Sequence, residues 1–214
     1  MPHGTKTYWR VPGETGIPFQ FDIAQSNELA MNKIIWPYPE RDYDYGYVDF
    51  VYHQNLVLPI QLDVEGQNPF LSANLILGVC SDICVPVSVQ IEHQLNFEKR
   101  DSRVALQIAQ SVATTPIEWD QGAPPIGIAK YDSGGENIIV EINSSDLDID
   151  SMIATISDTY VVFGAPQKNA QGTLVTFNKL GGEDITELKG QPLTLTFMSK
   201  DGPYEISQPL EIIQ

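Results

Sequence analysis

Cysteine, histidine and basic residues are scarce in this chain, and long apolar runs are absent from it. Only two cysteines and three histidines occur among the 214 residues, so there is no second cysteine pair to complete a closed structural zinc site. No apolar run approaches the roughly 18 residues that a membrane helix needs. The polar residues 1–4 are not typical of a signal peptide, so the compartment must be argued from other residues.

Positive charge is also in short supply, because 12 basic residues face 28 acidic ones and the net charge is −16. A surface of this sign repels phosphate backbones, which argues against nucleic acid as a partner. The simplest role of the negative charge is to keep the protein soluble.

Short apolar runs separated by proline and glycine fill most of the chain, a pattern typical of β structure. In residues 17–22 and 85–97, apolar and polar residues alternate, as expected of half-buried strands. Further strands are predicted at residues 32–36, 56–64, 73–79, 137–142, 160–163, 173–177 and 193–197. Many short strands with turns between them predict antiparallel β-sandwiches.

One segment has helical rather than strand spacing. Between residues 102 and 113, apolar residues recur every three or four positions, with Ser102 as the predicted N-cap and Pro116 as the stop. We therefore predict an all-β chain with a first domain at residues 1–98, a helix and linker at 99–125, and a second β-sandwich domain at 126–214. The second domain has neither cysteine nor histidine, and its residues show no catalytic constellation.

The two cysteines, Cys80 and Cys84, are separated by three residues. In an extended strand, residues four apart lie roughly 13 Å apart, whereas a disulfide needs a Cα separation of about 4.4–6.8 Å. The chain must therefore turn between them, and Ser81 and Asp82 are suitable turn residues. The spacing predicts a disulfide on a tight turn between two strands, near the surface.

Three other roles are open to the cysteines. A structural staple is disfavoured because a five-residue loop contributes only about 2 kcal/mol, against about 4.7 kcal/mol for a 100-residue loop. Two thiolates could bind a soft cation such as Cu(I). A Cys–His hydrolase needs an orienting base, and nothing in the sequence places His53 or His93 beside Cys80. A short, turn-constrained disulfide suits a bond that is made and broken.

An aromatic and acidic segment occupies residues 41–50. Its simplest interpretation is a solvated hairpin tip whose aromatic side chains fold back onto the sheet. A second interpretation is a cap that shields a reactive disulfide and moves when a partner docks. Carboxylates near the sulfurs would raise the cysteine pKa and slow non-specific attack.

Several short motifs together resemble a known family. They are Lys-Thr-Tyr-Trp-Arg at 6–10, Pro-Gly at 12–13, Gly-Ile-Pro at 16–18, Phe-Asp at 21–22, Trp-Pro at 36–37, Pro-Glu-Arg at 39–41, Leu-Val-Leu-Pro at 56–59 and the cysteine run at 79–86. As a set they resemble the periplasmic N-terminal region of DsbD-family protein-disulfide reductases, with ScsB, of the suppressor-of-copper-sensitivity system, as the most similar branch. The resemblance covers residues 5–98, and beyond that it is one of layout.

This resemblance implies a fold, a direction of electron flow and roles for named residues. Each β domain is expected to be immunoglobulin-like. Electrons would pass from a membrane-embedded reductase, through the thioredoxin-like domain of the full-length protein, to the cysteine pair and on to a periplasmic thioredoxin-fold isomerase or reductase. Cys84 would form the mixed disulfides and Cys80 would resolve them. The cap of the family maps onto residues 41–50, and its predicted residues are Asp42, Tyr43, Asp44 and Tyr45.

The chain departs from the familiar DsbD pattern in three ways. Three residues separate the cysteines rather than a longer insert, the cap aromatic is tyrosine rather than phenylalanine, and the membrane and thioredoxin-like parts are not in this sequence. We expect it to be an N-terminal fragment whose link to a membrane lies in the missing C-terminal part. No cofactor or metal is expected, and copper tolerance would be an indirect effect of keeping periplasmic thiols reduced.

Two hypotheses of different classes follow. The first is a thiol–disulfide oxidoreductase module that acts through a reversible Cys80–Cys84 disulfide. The second is a β-sandwich binding module with a structural disulfide, which docks protein partners or copper.

Overall fold

The structure is a computed structural model that describes residues 1–98, 101–132, 134–157, 159–188 and 191–212. The chain divides into two compact units, residues 1–115 and 116–214. Residues 99 and 100, within the predicted helix-and-linker segment, lie outside the described residues. The domain boundaries predicted from the sequence, at residues 98 and 126, remain predictions.

The described part of the first unit holds eight strands. Their bounds are β1 Lys6–Gly13, β2 Gln20–Asp22, β3 Leu29–Ile34, β4 Glu40–Asp42, β5 Asp49–His53, β6 Ile60–Val64, β7 Phe70–Cys80 and β8 Cys84–Gln94. The larger sheet has the order β2-β7-β1-β5-β4, with β8 paired to β7, and β3 pairs with β6 in a separate two-stranded sheet. All of these pairings are antiparallel.

Aromatic side chains from β1 and β5 form the packed centre of the larger sheet. Trp9 is fully buried and meets Phe50 edge to face, with ring centroids 5.9 Å apart. Val51 and Tyr8 are buried beside them and pair across the two strands. This anchoring fixes β1, which is the strand that lies next to the end of β7.

An α-helix, α1 at Ser102–Val112, follows the strands of the first unit. It begins at the predicted residue, but its N-cap is Asp101 rather than Ser102, because the Asp101 carboxylate accepts hydrogen bonds from the backbone N–H groups of Arg103 and Val104. The Ser111 hydroxyl donates to the carbonyl of Val57, which attaches the last turn of α1 to the first unit.

The second unit is built from two further sheets. Their strands are β9 Ile117–Glu118, β10 Ile126–Tyr131, β11 Asn137–Ile142, β12 Leu147–Ile156, β13 Val162–Phe163, β14 Gln167–Lys168, β15 Leu174–Gly181, β16 Pro192–Ser199, β17 Gly202–Pro209 and β18 Glu211–Ile212. One sheet has the order β13-β15-β11-β10-β18 with β14 beside β15, and the other has the order β12-β16-β17-β9. Phe163, Phe177 and Phe197 are fully buried in the apolar core of this unit.

The predicted fold class is confirmed: the chain is all-β and forms β-sandwich units, with α1 as its helix in the described residues. The alternation of apolar and polar residues predicted the central strands well. The ends were less accurate, since residues 56–59 precede β6 and residues 160–161 precede β13. Among the described residues, no helix is long and apolar enough to span a bilayer.

Candidate functional site

The cysteine pair lies where β7 turns into β8. Cys80 is the last residue of β7 and Cys84 is the first residue of β8, and the two are direct partners across the ladder. Their Cα atoms are 4.1 Å apart and a disulfide joins them. The Ser81 N–H donates to the carbonyl of Ile83, 3.3 Å away, within the turn. The tight turn between two strands predicted from the spacing is therefore confirmed.

The two sulfur-bearing residues differ sharply in exposure. Cys80 has no accessible surface, whereas Cys84 is exposed and follows Ile83, which is 75% exposed. A bulky protein thiol can reach the bond from the side of Cys84 only. The turn predicted near the surface is exposed together with Cys84, whereas Cys80 itself is buried because the end of β7 lies against β1.

Tyr8 brings a phenol to the disulfide from strand β1. Its hydroxyl donates to Cys80 Sγ at 2.9 Å and lies 3.0 Å from Cys84 Sγ. The register of β1 against β7 explains this contact. Lys6 is the ladder partner of Cys80, and Tyr8 lies two residues further along β1 on the same face of the strand. Tyr8 stands 72 residues before Cys80, and it is not among the site residues predicted from the sequence.

Two glycines leave room for the Tyr8 ring. A Cβ atom added to Gly78 would lie 3.1 Å from Cδ2 and Cε2 of Tyr8, and one added to Gly16 would lie 2.5 Å from Cδ1. The ring is therefore flanked along both of its edges by residues without side chains. Burial raises the pKa of Tyr8, and the negative charge of Asp49 adds to the rise. The phenol is thus held as a neutral hydrogen-bond donor at ordinary pH.

Lys6 connects the strand beside Cys80 to the predicted cap. Its ammonium lies 2.5 Å from Asp42 Oδ2 and 3.2 Å from Asp44 Oδ2. The side chains of Lys6 and Asp42 are only 10% and 12% exposed, whereas that of Asp44 is 62% exposed. The pair with Asp42 is therefore shielded from solvent and the pair with Asp44 is not.

The pKa values of this ion pair reflect the same geometry. Burial is the largest single influence and alone would raise the pKa of Asp42, but the hydrogen bonds from Lys6 and from the Asp44 backbone N–H, together with the positive charge of Lys6, outweigh it and hold the pKa of Asp42 below its ordinary value. Burial likewise opposes charge on Lys6, yet hydrogen bonds to Asp42 and Asp44 raise the pKa of Lys6. Both groups are charged across the neutral range.

The predicted cap residues form a short turn between β4 and β5. The residues Asp44–Gly46 make one turn of 3-10 helix, with the Asp44 N–H donating to Asp42 Oδ1 at 3.0 Å. Tyr45 has the left-handed φ of 57°, which is uncommon for a residue with a bulky side chain. Tyr43 and Tyr45 are 55% and 79% exposed. Their assignment as shielding residues stays a prediction, whereas the link of Asp42 and Asp44 to the strand beside Cys80 is direct.

Sequence reasoning grouped Cys80 with Cys84 and Asp42 with Asp44, but it missed Lys6 and Tyr8. Two signals were available: both residues lie in the motif at 6–10 that carries the family resemblance, and the alternation in β1 places them on the same face of the strand. Among the described residues, no group of three or more histidine, cysteine, aspartate or glutamate side chains is placed to hold a metal ion.

Comparison with known proteins bears on this site. Residues 1–96 match the family model described as thiol:disulfide interchange protein DsbD, N-terminal. These residues are therefore similar to the N-terminal domain of DsbD. The matched range contains all of the residues described above, from Lys6 through the cap to Cys84, and the resemblance inferred from the sequence motifs is confirmed.

A solved structure extends the similarity in fold beyond the DsbD N-terminal domain. The crystal structure of the N-terminal periplasmic domain of ScsB from Proteus mirabilis matches with a TM-score of 0.74 at 22% sequence identity, covering 99% of this chain and 84% of that one. At this identity the likeness shows the shared fold of both units. No curated protein sequence matches the chain significantly. The similarity to the N-terminal domain of DsbD, together with a disulfide-bonded cysteine pair, supports a role in thiol–disulfide exchange.

Proposed function

We propose that this chain is a periplasmic thiol–disulfide exchange module that passes electrons through a reversible Cys80–Cys84 disulfide. It accepts them from the thioredoxin-like domain of a membrane-embedded reductase and delivers them to periplasmic thioredoxin-fold proteins. One observation carries the proposal: a disulfide at a strand turn with one exposed and one buried cysteine, inside a region similar to the N-terminal domain of DsbD. That asymmetry assigns different roles to the two sulfurs.

In the first half of the cycle the module is reduced. A thiolate of the donor attacks Cys84 Sγ, the bond between Cys84 Sγ and Cys80 Sγ breaks, and its electron pair leaves on Cys80 Sγ. The second thiol of the donor then attacks the donor sulfur that is bonded to Cys84 Sγ. This forms the donor disulfide and releases Cys84 as a thiolate. The donor ends as a disulfide and the module as a dithiol, so two electrons have moved.

In the second half the module reduces an oxidised partner. The exposed Cys84 thiolate attacks one sulfur of the partner disulfide, and the other partner sulfur leaves as a thiolate. Cys80 then attacks Cys84 Sγ, which releases the reduced partner and reforms the Cys80–Cys84 bond. Because Cys80 is buried, the sulfur of a partner cannot reach it, and its reaction is with the sulfur of Cys84. Cys80 therefore acts as the resolving cysteine.

We assign residues 42–45 as a cap whose position is set by Lys6. The ammonium of Lys6 binds Asp42 and Asp44 on either side of Tyr43, so the loop is held to the strand that borders Cys80. The pair with the exposed Asp44 is weak in water and the pair with Asp42 is stronger, so the outer part of the loop opens first. Opening would let a partner approach Cys84, and closure would slow attack by stray thiols.

The compartment and the partners are inferred from the relatives. The similar ScsB domain is described as periplasmic, and disulfides persist in the oxidising bacterial periplasm. A thioredoxin-fold partner supplies the exposed, low-pKa thiol that such an exchange requires. The acidic chain would favour partners with a basic surface around their reactive cysteine.

Redox equilibration tests the proposal against a structural disulfide. The protein is incubated in thiol buffers of defined potential and the fraction of reduced Cys80–Cys84 pair is counted by mass after alkylation. We expect a reduction potential above that of thioredoxin, about −270 mV, and below that of a strong oxidant such as DsbA, about −120 mV. A value below about −300 mV would mark an inert bond and favour the binding-module hypothesis.

A further inference from the structure

We infer that Tyr8 is a catalytic residue of the exchange, whose hydroxyl stabilises the thiolate of Cys80 when the disulfide opens. The inference rests on the proposed function and adds a reacting group that neither the cysteine spacing nor the cap predicts. Its basis is geometric, since one phenolic oxygen lies 2.9 Å from Cys80 Sγ and 3.0 Å from Cys84 Sγ.

The need for such a group follows from the burial of Cys80. When an incoming thiolate bonds to Cys84 Sγ, the electron pair of the broken bond goes to Cys80 Sγ. That sulfur has no accessible surface, so water cannot solvate its new negative charge. A desolvated thiolate is unfavourable, which raises the pKa of the thiol and makes it a poor leaving group.

The Tyr8 hydroxyl is already placed where that charge appears. A disulfide sulfur is a weak hydrogen-bond acceptor and a thiolate is a strong one, so the same contact becomes stronger as the bond breaks. An interaction that grows towards the transition state accelerates the reaction, whereas equal binding of both states would not. Tyr8 keeps its proton throughout, because the hydroxyl only donates a hydrogen bond. No additional proton donor or oxidant is required.

The surroundings preserve this contact. Gly16 and Gly78 flank the ring, and burial raises the pKa of Tyr8, which keeps the phenol protonated. Titratable side chains on the neighbouring elements include Lys6 on β1, Asp42 on β4, Asp49 and His53 on β5, and Asp82 in the turn. Three of them are carboxylates and the Lys6 ammonium is already bound to Asp42 and Asp44, whereas the neutral Tyr8 donor contacts both sulfurs.

The test compares Tyr8→Phe with the unmodified chain. This change removes one oxygen and leaves the ring in place, and circular dichroism checks that the fold is kept. Each reduced protein is alkylated with a small reagent over a range of pH, and the rate at each cysteine is measured by mass spectrometry. A hydrogen bond to a charged atom corresponds to about one pKa unit or more. We therefore expect the pH profile of Cys80 alkylation in Tyr8→Phe to move to higher pH by about one unit.

Opening of the oxidised pair gives a second readout. With a small dithiol as the reductant, we expect Tyr8→Phe to open more slowly by about threefold for each unit of rise in the Cys80 pKa. Tyr52→Phe is the matched control, because the buried Tyr52 hydroxyl donates to the carbonyl of Pro37 rather than to a sulfur. It should leave both readouts unchanged.

Two results would overturn the inference. One is a pH profile and an opening rate of Tyr8→Phe that coincide with those of the unmodified chain. The other is an equal shift in Tyr52→Phe, which would trace the effect to general loosening of the sheet. Failure of the proposed function looks different: the unmodified chain would then equilibrate only below about −300 mV, whatever the pH profile of Tyr8→Phe.

Discussion

Lys6 and Cys80 are direct partners on β1 and β7, and the ammonium of Lys6 lies 2.5 Å from the carboxylate of Asp42. The strand that covers the buried sulfur therefore also carries the cation that holds the predicted cap. The cysteine pair and residues 42–45 are distant in sequence, and β1 connects them.

Replacing Lys6 by glutamine should release the cap. We expect alkylation of reduced Cys84 to become severalfold faster, because Asp42 and Asp44 lose their shared cation. The free energy of unfolding of the first unit should fall by about 1 to 3 kcal/mol, since a charge-assisted hydrogen bond to the shielded Asp42 is lost. Quenched alkylation time courses measure the rate at Cys84, and denaturant titration measures the free energy of unfolding.

Lys33→Gln is the matched control for this prediction, because Lys33 is an exposed lysine on β3 of the same unit. It should change neither quantity. Equal alkylation rates in Lys6→Gln and the unmodified chain would show that the ion pair does not govern access to Cys84.

The same ion pair predicts a dependence of stability on pH. The folded-state pKa of Asp42 lies below its unfolded value, so its contribution is complete above about pH 4 and is lost as the pH falls through the folded value. The stability of the first unit should therefore decline on acidification below about pH 4. Lys6→Gln should flatten this part of the curve, and an undiminished decline in that variant would assign it to other carboxylates.

Tyr43→Ala and Tyr45→Ala test which cap side chain shields the sulfurs. If a tyrosine covers the pair, its removal should speed alkylation of the reduced cysteines by a small reagent. Tyr160→Ala is a control of matched exposure, since Tyr160 and Tyr45 are both 79% exposed and Tyr160 lies in the second unit. Unchanged rates in both cap variants would remove the shielding role and leave the loop as an exposed hairpin tip.

Gly78→Ala should disturb the position of Tyr8. The added methyl group would lie 2.9 Å from Ile17 Cβ and 3.1 Å from the Tyr8 ring, so one of them must move. We expect a loss of about 1 to 3 kcal/mol of unfolding free energy, the usual cost of overpacking, together with slower opening of the disulfide. Gly181→Ala has open space for its methyl group and should be neutral. A neutral Gly78→Ala would contradict the close packing around Tyr8.

The sequence predicted the sandwich fold because alternation of apolar residues is a local property of each strand. It also predicted the turn at residues 81–83, because the spacing of Cys80 and Cys84 restricts the chain between them. Both inferences need only neighbouring residues, and the structure confirms both.

The contacts of Lys6 and Tyr8 could not be predicted in this way. They depend on the register that sets residue 6 opposite residue 80, and a single sequence does not reveal the pairing of strands so far apart. The N-cap at Asp101 was missed for a smaller reason, since Asp101 and Ser102 are both good capping residues and only the backbone decides between them.

Trapping of mixed disulfides tests the central claim most directly. Reduced Cys80→Ala and Cys84→Ala are each mixed with an oxidised thioredoxin-fold protein, and the covalent complexes are counted on a non-reducing gel. We predict that Cys80→Ala accumulates a mixed disulfide through the exposed Cys84, whereas Cys84→Ala, with only the buried Cys80, does not. Accumulation by Cys84→Ala alone would reverse the roles of the two sulfurs, and the absence of any complex with either variant would contradict exchange with this class of partner.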